Sequence, residues 1–245
     1  MNRNYVTVLL TVIVLAAALS AAPRAARAAD DVWVEENPTG PAARVAPGTA
    51  IADPIWPWNV AWFHFNDRMY FWVIKPASQG YGRAVPKRAR LGLDSFFSNL
   101  GFPKRLLNSA LQGHFGESGT VFCRFLIDTT VGIGGFWSPS ERILYLPSRP
   151  RDFDQTLGVW GVGMGCYVTL PLVGPSSARG TLGWVLDAGT DGATALPGGN
   201  VIKTINSTSL GQNPYESLRQ AAVDPYTAVR SAYVQNRIMA VEGKE

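Results

Sequence analysis

Gly116-Glu117-Ser118-Gly119-Thr120 sets a serine between small residues, the pattern of a nucleophile elbow in a serine hydrolase. Such an elbow needs a closing glycine and a preceding strand. Thr120 stands where that glycine should be, and no strand pattern leads into it. His64 and His114 are the only histidines, too few for a His-rich zinc site, and His114 with Glu117 lacks the His-Glu-x-x-His spacing of a metalloprotease. Gly161-Val162-Gly163, followed by Met164-Gly165, has the wrong spacing for a dinucleotide-binding loop. Asp152, Asp154, Asp187 and Asp191 could form carboxylate pairs for acid–base work, but caps and turns are the ordinary use of such residues. No nucleophile, base or metal set is complete, so weight moves from catalysis to binding or transport, and no cofactor or metal is implied.

The elements that carry these residues read as short, punctuated helices. Asp53-Pro54 has the form of an N-cap with proline at the first helical position. Downstream, Trp58, Trp62, Phe65, Met69 and Trp72 recur at spacings of four, three, four and three, which places five large apolar side chains on one helical stripe ending before Pro76. Further helices are predicted over Lys87–Leu100, Pro103–Gln112 and Ser118–Val131. In the last of these, Val121, Phe122, Phe125 and Leu126 form one side and Arg124 and Asp128 the other. Gly132, Gly134 and Gly135 then make a flexible node. Between Thr156 and Ala178 no residue is charged, yet glycines and prolines interrupt the run, so a re-entrant or hairpin element is expected rather than a spanning helix. Residues 188–200 read as a linker. A closing helix is predicted over Pro214–Val241, with Arg219, Arg230 and Arg237 opposite its apolar face.

Composition narrows the class. The 245 residues are 47% hydrophobic and 16% charged, enough apolar material for a sizeable core. Arg3, the apolar run Tyr5–Leu19 and Ala26-Arg27-Ala28 have the three regions of a secretory signal over residues 1–28. Residues 29–50 form a Pro/Gly/Ala-rich leader, and 51–242 the folded domain. Removing the signal takes away Arg3, Arg24 and Arg27 and no acid, which lowers the formal net charge from +4 to +1. No basic stripe then argues for nucleic acid. Cys123 and Cys166 are the only cysteines; a disulfide is permitted after export and two free thiols are equally open. Neither lies near the cleavage region, so no acceptor for N-terminal lipidation is expected.

Four blocks, in order, resemble the MlaA/VacJ family. They are Asp53-Pro54 with Asn59, Phe65-Asn66 and Tyr70; Asn99-Leu100, Pro103, Asn108 and Leu111-Gln112-Gly113 with Arg124-Phe125 and Gly132 through Phe136; Asp152-Phe153-Asp154-Gln155-Thr156-Leu157-Gly158 with Trp160-Gly161-Val162, Tyr167, Leu170-Pro171 and Gly174-Pro175-Ser176-Ser177; and Asp224-Pro225-Tyr226 with Arg230 and Arg237. Asp154 stands where the family usually has Gly, Cys166 where it usually has Pro, Asp128 where it often has Asn, and Gly180 where an Asp commonly follows Arg179.

The resemblance implies a mostly α, ring-like, multi-helix domain lying in the inner leaflet of the outer membrane around an amphipathic passage. It implies a non-enzymatic role: phospholipid strayed into the outer leaflet enters the passage and leaves to a periplasmic lipid-carrier protein, with the ring docked on a trimeric outer-membrane porin. The competing reading is a porin-associated adaptor that moves no lipid. Within this frame Asn99, Asn108, Gln112, Arg124 and Asp128 are the candidate polar lining. Gly132, Gly134 and Gly135 are the candidate gating hinge, and unimpaired lipid export by a well-folded variant with proline at Gly134 would count against it. Trp58, Trp62, Phe65, Met69 and Trp72 are the membrane-facing stripe, with Trp favoured at a bilayer interface.

Overall fold

The computed structural model describes residues 51–243; the signal and leader read over 1–50 lie outside the described residues. Helix α1 (Trp56–Met69) passes through a π-helical turn (Tyr70–Ile74) into α2 (Lys75–Ala84). Then follow α3 (Lys87–Leu100), α4 (Phe102–Leu111), α5 (Phe115–Thr130), the single turn α6 (Pro139–Arg142) and α7 (Phe153–Val159). An antiparallel hairpin, β1 (Tyr167–Leu170) and β2 (Gly174–Ser177), leads to α8 (Ala178–Asp187), α9 (Gly192–Ala195), α10 (Gly199–Ser209), α11 (Tyr215–Ala221) and α12 (Pro225–Glu242).

The mostly helical expectation holds, and several boundaries are corrected. Asp53 is not the cap of α1, which starts at Trp56 with Pro57 in its first turn; its carboxylate instead accepts from Asn59 Nδ2 at 2.6 Å and binds Tyr226 and Arg230. The helix does not stop before Pro76. Proline has no N–H to give, and the widened turn just ahead of it lets the chain run on, with Pro76 in the first turn of α2. The closing helix breaks at Ala222–Asp224, because a residue before proline avoids helical backbone and Asp224 instead caps α12 through Tyr226 N. The stretch read as a linker ends in helix α10, and α8 follows directly on the hairpin.

The hairpin is completed by side chains. β1 has only β2 as a strand partner, and α1 lies along its other edge. Asn59 is fully buried there: its Nδ2 donates to Tyr167 O at 3.0 Å and its Oδ1 accepts from Thr169 N at 2.7 Å. Two turns on, Asn66 repeats this with Leu170 O at 2.9 Å and Leu172 N at 2.7 Å. Two amides on one face of α1 thus satisfy the unpaired backbone groups of a strand edge.

Neighbouring elements close a circuit. From α1 contacts run through α2 to α10, then α3, α4, α7 and α12, and back through β2 and β1 to α1. A small apolar core of Phe63, Tyr167, Tyr226 and Val229 sits where α1, β1 and α12 meet.

Polarity is inverted over much of this ring. Among the described residues nineteen polar or charged side chains are buried against nine hydrophobic ones, while twenty-eight large hydrophobic side chains are exposed. In α5 the buried face is Ser118, Val121, Arg124 and Asp128, whereas Phe122 and Leu126 are exposed. Arg230 and Arg237 likewise turn inward to Asp53 and Asp152 rather than to solvent. No described helix is long and apolar enough to cross a membrane.

Candidate functional site: a charged cavity inside the ring

The circuit borders a half-open cavity of about 480 Å³ and an adjoining recess of about 230 Å³, and the two share Lys104, Asp152, Asp191 and Lys203 as wall residues. Each wall residue is set by its element. Lys104, on the first turn of α4, donates to Asp191 at 3.0 Å; Asp191 in turn caps α9 by accepting from Ala193 N at 3.0 Å. Burial pushes the Asp191 carboxyl up, but the charges of Lys104 and Lys203 and its hydrogen bonds outweigh this and hold it below its ordinary value. Asp152 caps α7 through Gln155 N at 2.8 Å and pairs with Arg237 at 2.6 Å. Capping, the ordinary use of these acids, therefore describes Asp152 and Asp191, though both also face the cavity.

Arg179, Gly183 and Asp187 form the buried stripe of α8, one turn apart. Arg179 Nε lies 2.6 Å from Asp154 Oδ1 on α7, and Arg237 Nε approaches Asp154 Oδ2 at 3.4 Å. Gly183 permits this: a Cβ there would stand 2.5 Å from Asp154 N. Asp187 accepts from Asn108 Nδ2 and from Phe153 N, both at 3.0 Å, and burial raises its pKa despite these bonds.

Behind Asp187 the polar chain continues to the surface. Thr156 Oγ1 donates to Asn108 Oδ1 at 2.7 Å, Gln112 Nε2 donates to Thr156 Oγ1 at 2.9 Å, and Arg151 donates to Gln112 Oε1 at 2.7 Å and to Glu117 at 2.9 Å. With Asn108 and Thr156 fully buried, this arrangement leaves few alternative packings, since each unpaired group would be costly.

The residues expected to line a passage fall in two places. Asn108 and Gln112 belong to this chain, one layer behind the cavity wall. Arg124 and Asp128 hold the segment after the glycine node: Arg124 donates to Leu146 O and reaches Glu141, and Asp128 accepts from Ser140 N at 3.1 Å and from its hydroxyl at 2.6 Å. Asn99, on α3, donates to Thr129 at 3.0 Å and packs under Gly135. The wall itself carries Lys104, Lys203, Arg237 and the four aspartates. Sequence reasoning missed both lysines; the only signal was a lysine set within the Val201–Ile205 run of a weak helix.

The glycine node is a tight turn. Gly134 and Gly135 have φ of +70° and +92°, and their N–H groups donate to Thr129 O and Asp128 O at 3.0 and 2.8 Å. Proline cannot take that φ, so a proline at 134 would break the turn, and the well-folded variant that would test the hinge is not to be had at this position. A Cβ on Gly132 would meet Trp137 O at 2.1 Å.

The stripe on α1 points outward. Trp58, Phe65 and Trp72 are exposed, Trp72 to 75%, while Trp62 and Met69 are half-buried. Trp58 meets Trp62 edge to face at 5.5 Å, and Trp62 meets Phe65 at 5.2 Å. Ile133, Tyr145 and Leu172 add exposed apolar tips, each in left-handed backbone. Ser118 Oγ donates to the main-chain oxygen of His114 within α5. Cys123 and Cys166 are both free.

The family model described as MlaA lipoprotein matches residues 51–239. This chain belongs to the MlaA family. Within it, the chain is 33% identical over 186 residues to the intermembrane phospholipid transport system lipoprotein MlaA of Haemophilus influenzae, spanning 71% of this chain and 72% of that one. The Escherichia coli K12 protein of the same description is 31% identical over 209 residues, 79% and 80% of the two chains. A Rickettsia conorii protein of unassigned function is 28% identical over 202 residues, 80% of each. A solved structure described as the structural basis for maintenance of bacterial outer membrane lipid asymmetry superposes with a TM-score of 0.68 at 29% identity, covering 78% of this chain and 99% of that one. The MlaA relatives are named lipoproteins, whereas both cysteines here lie inside the folded body, in α5 and just before β1.

Proposed function

We propose that this MlaA-family chain moves phospholipid between membranes: it takes mislocalised phospholipid from the outer leaflet of the outer membrane and passes it to a periplasmic lipid carrier, so maintaining lipid asymmetry. The observation that carries this reading is the inverted polarity of the ring, with charged groups on the cavity wall and most large apolar side chains exposed rather than buried, only Leu172, Val173 and Trp184 of those bordering the cavity. Such an exterior suits an acyl environment, and the cavity suits a headgroup.

The barrier to be avoided is large. Two acyl chains of roughly 30 methylenes, at ~0.8 kcal/mol each, would cost on the order of 24 kcal/mol if exposed to water. A ring seated in the inner leaflet lets the tails stay in lipid while the headgroup crosses a polar interior. No bond need be made or broken. The aromatic face of α1 and the apolar tips supply the membrane contact, and a trimeric porin is the partner that would hold the ring in place. Asn108 and Gln112 stiffen the wall in this scheme, Arg124 and Asp128 order the segment beyond the node, and Gly132 to Gly135 serve as its pivot.

The test is removal of the gene followed by covalent labelling of surface phospholipid in whole cells. Outer-leaflet phospholipid is expected to rise and to fall again with the wild-type gene, but not with Trp58→Asp/Trp72→Asp, whose side chains make no core contact. Unchanged labelling on removal would favour a porin adaptor that carries no lipid.

A further inference from the structure

Most charges on the cavity wall cancel in pairs. Lys104 is held by Asp191, and Arg237 by Asp152 and Asp154, with Arg179 completing the last. Two charges remain. Lys203, on α10, forms no hydrogen bond or ion pair with any described residue; it feels the charge of Asp191, which is already bound to Lys104, is half-buried, and borders both the cavity and the recess. Asp187, on α8, is 7% exposed and is met only by an amide and a backbone N–H, with no cation at ion-pair distance. The two do not pair with each other.

A half-buried ammonium whose donors are unused favours an anion, and a buried carboxylate hydrogen-bonded only by neutral donors favours a cation. Arg105, beside Lys203 in the recess, donates only to the carbonyl and hydroxyl of Ser98 and adds to the positive side. Burial depresses the pKa of Lys203 and raises that of Asp187, so each would gain from a counter-charge.

Resting on the transport reading above, we propose that the cavity prefers phospholipids whose headgroup is a zwitterion with a protonated amine, Lys203 and Arg105 facing the phosphodiester and Asp187 the ammonium. A lipid with only the phosphate charge leaves Asp187 uncompensated. A quaternary amine keeps the charge but offers Asp187 no N–H.

Purified full chain in mild detergent is equilibrated with equal amounts of phosphatidylethanolamine, its N-acetylated form and phosphatidylglycerol. It is then washed by detergent exchange, and the retained lipid is quantified by mass spectrometry. Wild type is expected to retain phosphatidylethanolamine about fivefold over each of the others, the scale of one partly solvated ion pair. In Asp187→Asn the ratio should fall to that supplied through loss of phosphatidylethanolamine alone; in Lys203→Gln all three lipids should fall together and the ratio persist. The N-acetylated lipid poses the question to the unaltered protein, so misfolding of a variant cannot hide the answer. Equal retention of all three lipids by wild type overturns the headgroup proposal and leaves transport standing, whereas retention of no lipid overturns both.

Discussion

Arg179→Met removes the closest cation from Asp154, a carboxylate whose side chain is 5% exposed. The pair joins α8 to α7 at 2.6 Å, and Arg179 Nη1 also donates to Val162 O at 2.9 Å, so the substitution strands a buried charge and a carbonyl together. Breaking a buried pair by deleting one partner costs about 3–5 kcal/mol. Arg237 Nε remains 3.4 Å from the other carboxylate oxygen, which places the expected loss near ~3 kcal/mol. Asp154→Asn added to Arg179→Met takes the stranded charge away, and the double variant should recover about 2 kcal/mol of that loss. Urea unfolding in mild detergent, followed by helical circular dichroism, measures each member of the cycle. Additivity of the two single changes within ~0.5 kcal/mol would refute the argument, since it would mean that the two charges are not coupled in the folded wall.

At the node, Gly134→Ala should cost about 1 kcal/mol, because only its φ of +70° resists a side chain. Gly135→Ala should cost about 3 kcal/mol, because its Cβ would also stand 2.7 Å from Asn99. Equal thermal shifts for the two would show that the node does not pack on α3. Acid should weaken the wall through Asp191. Its carboxyl is depressed in the folded state, so its contribution is present above the ordinary value of 3.8 and lost as pH falls through the lower folded value. Asp187 has the opposite sign: raised by burial, it favours the folded state at acid pH and loses that contribution as pH climbs above 3.8 and through its folded value. Asp191→Asn should therefore flatten the acid limb of a melting-temperature profile below pH 4, and an unchanged limb would contradict the Lys104–Asp191 assignment.

Helices α3, α4 and α5 were legible because proline and glycine punctuate them locally and their helical runs are short-range. The break before α12 was not read from the sequence, although Asp224-Pro225 has the same capping form as Asp53-Pro54, where it does not operate. A hairpin within 156–178 was expected and is present, but its completion was not legible, because the outer edge of β1 is satisfied by Asn59 and Asn66, more than a hundred residues away. Nor was α10, whose Gly, Asn, Ser and Thr residues are weak helix formers held by packing on α2 and α3. In α5 the division into sides was only partly right: Val121 is buried with Arg124 and Asp128, while Phe122 and Leu126 are exposed.

By itself the sequence determined the mostly helical character of the chain, the course of its proline- and glycine-punctuated helices, and the family to which it belongs, since these depend on spacing along the chain and on residue type. Tertiary structure decided which face looks inward and which charges remain without a partner. Lys203 differs from Lys104 only in that no carboxylate is brought within ion-pair distance of it, and that follows from the closure of helices far apart in sequence. Charge pairing acts through distance in space, so a ring must close before its wall can have a polarity.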